Sequence, residues 1–139
     1  MNTETTQVPD LLRRFVATPY SFRFCIGRTC AKLETNDLVL ASTIQGATVC
    51  REDSRAQGDS DWKLIRDEQA PCGGREVSVL SAGPIGTLLV GAGTVIAVDR
   101  ERREVLGFIA PDISGEEFID FVLPLILKLL QSQANSLSQ

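Results

Sequence analysis

Apolar and polar residues alternate along much of this chain, in the period of two that is typical of half-buried β-strands. Branched and aromatic residues fill these stretches, and clusters of glycine, proline and charged residues separate them. The pattern predicts strands at YSFRFCI (20–26), CAKLE (30–34), ATVCRED (47–53), WKLIRDE (62–68), REVSVLS (75–81), TLLVG (87–91), TVIAV (94–98) and EVLGFI (104–109). The last two strands give the clearest hairpin, because only a charged tip at residues 99–103 separates them.

Three stretches follow the helical period of 3.6 residues instead. They are residues 8–16, 35–46 and 114–131. The middle helix has a capping residue at Thr35 or Asn36 and a terminating Gly46. The last one, here called the closing helix, begins with the capping box S-x-x-E, formed by Ser114 and Glu117.

The closing helix has more apolar surface than the covering of one sheet requires. Its polar side chains fall on one narrow stripe with Pro124, at Glu117, Asp120, Lys128 and Gln131. An apolar circumference this wide is typical of a helix buried on several sides. We expect one side to pack on the sheet. The other packs on the first helix within one core, on a second copy of the chain, or on another domain, and for the last two cases the predicted partner-binding residues are Leu123, Ile126, Leu127 and Leu130.

The order helix, hairpin, helix, several strands and helix is that of an α+β fold. We expect a mostly antiparallel sheet of hairpins, with a short N-terminal helix and a long apolar C-terminal helix packed on it; a doubly wound α/β sheet is the alternative. A length of 139 residues suits one domain. Residues 7–133 are predicted to form it, between disordered segments at 1–6 and 134–139.

The composition is that of an average globular protein, with 43% hydrophobic and 23% charged residues. A formal net charge of −4 argues against nucleic acid and anionic lipid as partners. The first ten residues lack the features of a secretory signal, and FVLPLIL is far shorter than the ~20 apolar residues of a membrane-spanning helix. These observations predict a cytoplasmic protein with no membrane partner.

The chain contains four cysteines and no histidine. The missing histidine removes Ser/His and Cys/His nucleophilic pairs and the commonest metal ligand. The spacing of Cys25, Cys30, Cys50 and Cys72 lacks paired C-x2-C knuckles, so we expect reduced and mostly buried thiols, with a metal site or a disulfide as alternatives.

No motif in the sequence assigns a reaction. The glycine-rich stretch GPIGTLLVGAGT (83–94) lacks the lysine of a phosphate loop, and a strand follows it where a dinucleotide-binding motif needs a helix, so we interpret its glycines as turn residues. The acidic residues lie mostly in turns, where solvation explains them. We therefore predict no catalytic residue, no cofactor and no metal.

Three hypotheses about function remain open. The first is a non-catalytic interaction or regulatory domain that docks through the closing helix. The second is a small-ligand-binding domain with a pocket between the sheet and the closing helix, where Arg23, Arg28 or Arg66 holds an anionic group. The third is an enzyme that uses acids or a thiolate, for which Cys30 and Cys72 are the candidate thiols.

The succession of ETND (34–37), a short helix, WKLIRD (62–67), VDRERREVLGFI (98–109) and LPLILKLL (123–130) resembles the region that precedes the phosphate loop in HPr-kinase-like proteins, which are related to bacterial phosphoenolpyruvate carboxykinase. The similarity covers roughly residues 19–130. The resemblance implies a module without the nucleotide-binding loop, because the chain ends at QSQANSLSQ before such a loop. Its implied partner is a kinase-like domain or a second copy of the chain.

Overall fold

The computed structural model describes residues 17–26, 29–50 and 60–131. The strands are β1 (Tyr20–Ile26), β2 (Thr29–Thr35), β3 (Val49–Cys50), β4 (Ser60–Arg66), β5 (Val77–Ala82), β6 (Ile85–Val90), β7 (Thr94–Asp99) and β8 (Glu104–Ile109). The helices are α1 (Leu38–Ala47), α2 (Gly115–Glu117), a π-helical segment (Phe118–Val122) and α3 (Leu123–Gln131). The last three are continuous and form the closing helix. The helix predicted at 8–16 and the segments predicted to be disordered lie outside the described residues.

One eight-stranded sheet contains all of these strands, in the order β3-β1-β2-β4-β8-β7-β6-β5. The α+β class is therefore confirmed, but the sheet is mixed, because β4 pairs in parallel with both β2 and β8. The other pairings are antiparallel. The prediction of hairpins alone was too simple. The connection from β2 to its parallel neighbour β4 contains α1 and β3, and parallel neighbours cannot be joined by a tight turn.

Both helices lie on one face of the sheet, here called the helix face. α1 packs against β1 and β2, while α3 packs against β6 and β7, and the start of the closing helix contacts α1. The strands alternate in burial accordingly, so that every second side chain enters the core. At the centre, the Trp62 ring meets Phe24 edge-on with centroids 5.4 Å apart, and its Nε1–H donates to the Ser60 hydroxyl.

The helix ends agree with the capping predictions in part. Asp37 caps α1 by accepting the Val39 N–H at 3.0 Å, one residue beyond the predicted caps Thr35 and Asn36. The helix also continues through Gly46 to Ala47. Ser114 caps the closing helix as predicted, since its hydroxyl accepts the Glu117 N–H at 3.0 Å.

A turn of π-helix interrupts the closing helix directly before Pro124. Leu123 N–H donates to the carbonyl of Phe118, five residues back. Pro124 has no N–H, so regular α-helical bonding could not continue through this turn in any case. The irregularity leaves Phe118 and Val122 both fully buried in the core.

The expectation of reduced thiols is wrong at Cys25 and Cys30, where the alternative of a disulfide is found. The two residues are buried and lie directly opposite each other on β1 and β2, where they form the disulfide. The antiparallel pairing of β1 and β2 brings both side chains to the same face of the sheet, which the spacing of the cysteines alone does not indicate. Cys72 is a free and exposed thiol, and the side chain of Cys50 lies outside the described residues.

The loop before β5 packs very closely on the turn between β6 and β7. Ala92 N–H donates to Gly73 and Gly91 N–H donates to Glu76. A Cβ atom at Gly93 would lie inside the contact radius of the Pro71 carbonyl oxygen. Glycine is therefore required at position 93 because a side chain would collide with the Pro71 backbone. This requirement adds to the turn role that the sequence indicates.

We predict that Gly93→Ala lowers the free energy of unfolding by ~1–3 kcal/mol, because the backbone of Pro71 must move. Gly46→Ala is the matched control, since a Cβ there meets nothing within 4 Å. Gly46 is the second-last residue of α1, so that change should stabilise by at most ~0.5–1 kcal/mol. Urea unfolding of both variants measures the two effects, and an equal response of the two would contradict the packing described here.

Candidate interaction surface

The structure buries most of the surface that the sequence assigned to a partner. Leu123, Ile126 and Leu130 are at most 2% exposed in the core, and Leu127 is half-buried against it. In the closing helix the exposed residues are Glu116 and four members of the polar stripe, Asp120, Pro124, Lys128 and Gln131. The sheet, α1 and neighbouring apolar side chains cover the rest, so the predicted docking residues are not on a free face.

The residues predicted to hold an anion do not form one site. Arg28 lies outside the described residues. Arg23 lies in β1 on the face of the sheet opposite the helices, here called the far face, directly across from Lys32. Arg66 ends β4 and belongs to the helix face, so the described arginines lie on opposite sides of the sheet.

Arg66 joins three parts of the fold. Its Nε donates to the Asp37 carboxylate at 2.8 Å, and its Nη1 donates to the carbonyls of Ala110 and Ile113 at 2.7 and 2.5 Å. The side chains of Arg66 and Asp37 are only 10% and 16% exposed. The guanidinium thus fixes the cap of α1 to the loop that leads into the closing helix, a structural role that leaves it engaged within the chain.

A cavity of about 590 Å³ lies on the far face, not between the sheet and the closing helix. Its charged lining residues are Lys32, Glu34, Asp61, Lys63, Asp99 and Glu104. Carboxylates outnumber ammonium groups in this lining, which does not suit the anionic ligand predicted from the sequence. In the part of the chain that the structure describes, no group of three or more acidic or cysteine residues is placed to hold a metal ion.

Exposed apolar residues concentrate at the β5 edge of the sheet. All six residues of β5 are exposed, and Val77, Val79 and Leu80 show 40%, 48% and 59% of their surface. β5 is the last strand of the sheet and lies beyond β6 and β7, on which α3 packs. No helix of the described residues covers it, which explains why hydrophobic side chains on both of its faces reach solvent.

Hydrogen bonds on either side of β6 fix which backbone groups of β5 are free. Gly91 N–H donates to Glu76 and Arg100 N–H donates to Pro84, so Ser78, Leu80 and Ala82 are the β5 residues that bond to β6. Antiparallel pairs alternate between bonded and non-bonded residues. The N–H and C=O groups of Val77, Val79 and Ser81 therefore point away from the sheet.

Within the described residues, this edge lacks the features that normally prevent strand pairing. Native proteins protect edge strands with lysine, proline, a bulge or a covering segment. The sequence VSVLSA contains no charge and no proline, and its register with β6 runs without a bulge from Val77 to Ala82. β5 is thus available for pairing along its full length.

A charged cluster holds the chain that enters β5. Arg75 donates to both oxygens of Glu117 in the closing helix and to the side chain and backbone of Asp112. The hydrogen bonds that Arg75 donates to the Glu117 carboxylate raise the pKa of Arg75. The Gly73 N–H donates to Asp112 and lowers the pKa of that carboxyl, and Arg75 lowers it further. The start of the edge strand is therefore tied to the closing helix.

The tip of the β7–β8 hairpin was predicted to be a solvated turn, and two of its arginines instead contact the fold. Arg100 Nη2 donates to the Gly83 carbonyl at 2.8 Å, just past the end of β5. Arg103 Nη1 lies 3.4 Å from the carbonyl of Leu130 in the last turn of the closing helix. A cation at that position also interacts favourably with the helix dipole.

Comparisons with known proteins gave no match: no family model, no curated protein and no solved structure matches the chain. The resemblance to HPr-kinase-like proteins therefore stays a prediction. Among the described residues, no helix is long and apolar enough to cross a membrane. The cytoplasmic prediction is untested, while a structural disulfide such as Cys25–Cys30 is more typical of oxidising compartments.

Sequence reasoning found β5 as a strand but not as the last strand of the sheet. Strand order and the span of the helix layer decide which strand is last, and neither can be read from local periodicity. One signal was present: among the predicted strands of 75–109, VSVLS contains two serines and no large aromatic residue, which is a weak core pattern.

We predict that Arg66→Ala lowers the free energy of unfolding by ~3 kcal/mol or more, because it leaves Asp37 and two carbonyls without their donor in a poorly solvated site. Arg66→Lys should recover only part of this loss, since an ammonium cannot reproduce the fork of contacts. Chemical denaturation measures both. A variant Arg66→Ala as stable as the original chain would contradict the cross-linking role.

We also predict a pH-dependent contribution from Asp112. Its folded pKa lies below its unfolded value of 3.8, so its stabilisation is complete above that value and is lost as pH falls through the folded pKa. Asp112→Asn should therefore unfold at a lower temperature than the original chain near neutral pH, and the difference should shrink in acid. Thermal melting across a pH series tests this, and a difference that does not change with pH would contradict it.

Proposed function

We propose that this chain is a non-catalytic protein-interaction domain. It binds another polypeptide, which pairs with β5 as an added strand of the sheet. The observation that supports the proposal is the uncharged edge strand VSVLSA, whose six residues are all exposed, with the free backbone groups of Val77, Val79 and Ser81. Strand addition obtains its affinity from main-chain hydrogen bonds and its specificity from alternate side chains. Val77 and Val79 supply such side chains on the helix face, and Leu80 on the far face.

A binding role also accounts for the otherwise unfavourable composition of this edge. Exposed apolar strands promote aggregation unless a partner occupies them. The enzyme hypothesis has less support, because the chain has no histidine. An interaction domain also agrees with the resemblance to the region that precedes the phosphate loop of HPr-kinase-like proteins, for which a kinase-like domain is one source of the added strand.

The test is a selection of random peptides on the immobilised chain, combined with its mass in solution. Val79→Pro is the edge-blocking variant, because it removes an outward N–H and leaves the bonds to β6 in place. Val39→Lys is a matched surface control, since Val39 is exposed to 65% but lies on α1. We expect the chain either to select peptides with branched or aromatic residues at alternate positions or to associate with itself. Val79→Pro should abolish peptide binding and self-association. Val39→Lys should leave them unchanged.

Two results together would contradict the proposed function. They are a monomer at every concentration and a failure to select any peptide that distinguishes the original chain from Val79→Pro. Ser78→Pro serves as a folding control. Its N–H bonds to β6, so this variant should lose stability, while Val79→Pro should keep most of it.

A further inference from the structure

We propose that the cavity on the far face binds a small organic cation, an ammonium group joined to an aromatic or aliphatic body. The volume of about 590 Å³ lies within the ~300–1,000 Å³ of typical small-molecule sites. Residues of β2, β4, β6, β7 and β8 line the cavity, on the face of the sheet opposite α1 and the closing helix. The site is separate from the β5 edge, so the inference does not rest on the proposed function.

One side of the cavity has an apolar floor. Leu106 of β8 lies directly opposite Ala97 of β7, and Ile85 of β6 lies opposite Asp99 on the same strand as Ala97. The three apolar side chains are only half-buried, since the helices of the described residues pack on the other face. An apolar group of a ligand would remove this surface from water.

A pair of carboxylates lies at the end of this floor. Glu104 is directly opposite Asp99, two positions along the strands from Leu106 and Ala97, a distance of ~7 Å. Like charges directly opposite each other destabilise a sheet. No lysine or arginine of the described residues forms an ion pair with either carboxylate. A bound cation would offset the repulsion.

The adjoining turn fixes one of these carboxylates. Asp99 Oδ1 accepts the N–H groups of Glu101 and Arg102, both at 3.0 Å, which leaves Oδ2 for a ligand. The arginines of the turn do not neutralise this end of the cavity. Arg100 and Arg103 donate to the carbonyls of Gly83 and Leu130, and Arg102 forms no ion pair with Asp99 or Glu104.

The other charges of the cavity nearly balance. On β2 and β4, Lys32 lies opposite Asp61 and Glu34 lies opposite Lys63. Asp61 also lies opposite Glu104 on its other side, which adds to the negative potential there. The acidic end is therefore at Glu104, and the opposite half of the cavity is close to neutral.

The apolar floor and the acidic end together indicate the class of ligand. A neutral apolar molecule would use only the floor, and an inorganic cation would use only the carboxylates. An organic ammonium ion whose apolar body lies within ~7 Å of its charge uses both. Such a ligand also explains why an anion does not suit this cavity, although the sequence predicted one.

Thermal unfolding with three matched probes is the first test. Phenethylammonium has an aromatic ring and an ammonium group, hydrocinnamate has the same ring and linker with a carboxylate, and ethylammonium lacks the ring. We expect only phenethylammonium to raise the melting temperature with its concentration, and added salt to reduce the effect. No rise up to the solubility limit would overturn the proposal, and so would an equal rise with hydrocinnamate.

Titration calorimetry of variants tests the location. Glu104→Gln removes one charge at constant size, so the affinity for phenethylammonium should fall by roughly three- to tenfold. Ala97→Leu should weaken binding by filling the floor. Glu68→Gln is the matched control, since Glu68 is exposed in a turn outside the lining, and it should bind as the original chain does. Equal affinity of Glu104→Gln and the original chain would overturn the site.

The edge variant separates this site from the proposed function. Val79→Pro should bind phenethylammonium with unchanged affinity, because β5 is not part of the cavity lining. Loss of phenethylammonium binding in Val79→Pro would contradict the far-face location. Peptide selection that depends on Val79, without any binding of phenethylammonium, would overturn the cation site and leave strand addition intact.

Discussion

In the described part of the chain, the helix layer is narrower than the sheet that it covers. α1 packs on β1 and β2, the closing helix packs on β6 and β7, and the central strands lie beneath their junction. β5 continues the sheet beyond this layer. A strand with apolar side chains on both faces cannot bury them without a cover, so an exposed hydrophobic edge is the consequence of this mismatch. The proposed interaction surface follows from it.

Internal contacts hold the two layers in this arrangement and engage many of the charged groups. Arg66 fixes α1 to the entry of the closing helix, and Arg75 fixes the entry of β5 to the same helix. Backbone contact at Gly93 holds the loop before β5 against the next turn. The edge strand is thus an ordered template and not a loose segment, which lowers the entropic cost of pairing.

Local pattern predicted what local forces determine. Alternation located the strands of the 75–109 region, and the serine of S-x-x-E located the start of the closing helix, because side-chain period and capping act over a few residues. The parallel neighbours of β4 were missed, since non-local pairing has no local signature. The closing helix shows the same limit. Its wide apolar circumference indicated that two sides are buried but not what covers the second side. Within this one chain, the sheet, α1 and adjoining side chains cover most of the apolar surface.

The site was less predictable than the fold. Arginine suggested anion binding at Arg66, whereas tertiary contacts make it a structural cross-link. The Cys25–Cys30 disulfide depends on hairpin register, which a count of intervening residues does not give. The edge position of β5 depends on the order of all eight strands. Each of these properties arises from contacts between segments distant in sequence or from the pairing register of two strands.

Residue-resolved amide hydrogen exchange, measured with and without a peptide selected on the chain, tests the central claim most directly. Without the peptide, the amides of Ser78, Leu80 and Ala82 should be protected by β6, while those of Val77, Val79 and Ser81 exchange quickly. With the peptide, the second set should become protected as well. Equal protection of both sets without the peptide, or outward amides whose exchange the peptide does not change, would contradict a free edge that accepts an added strand.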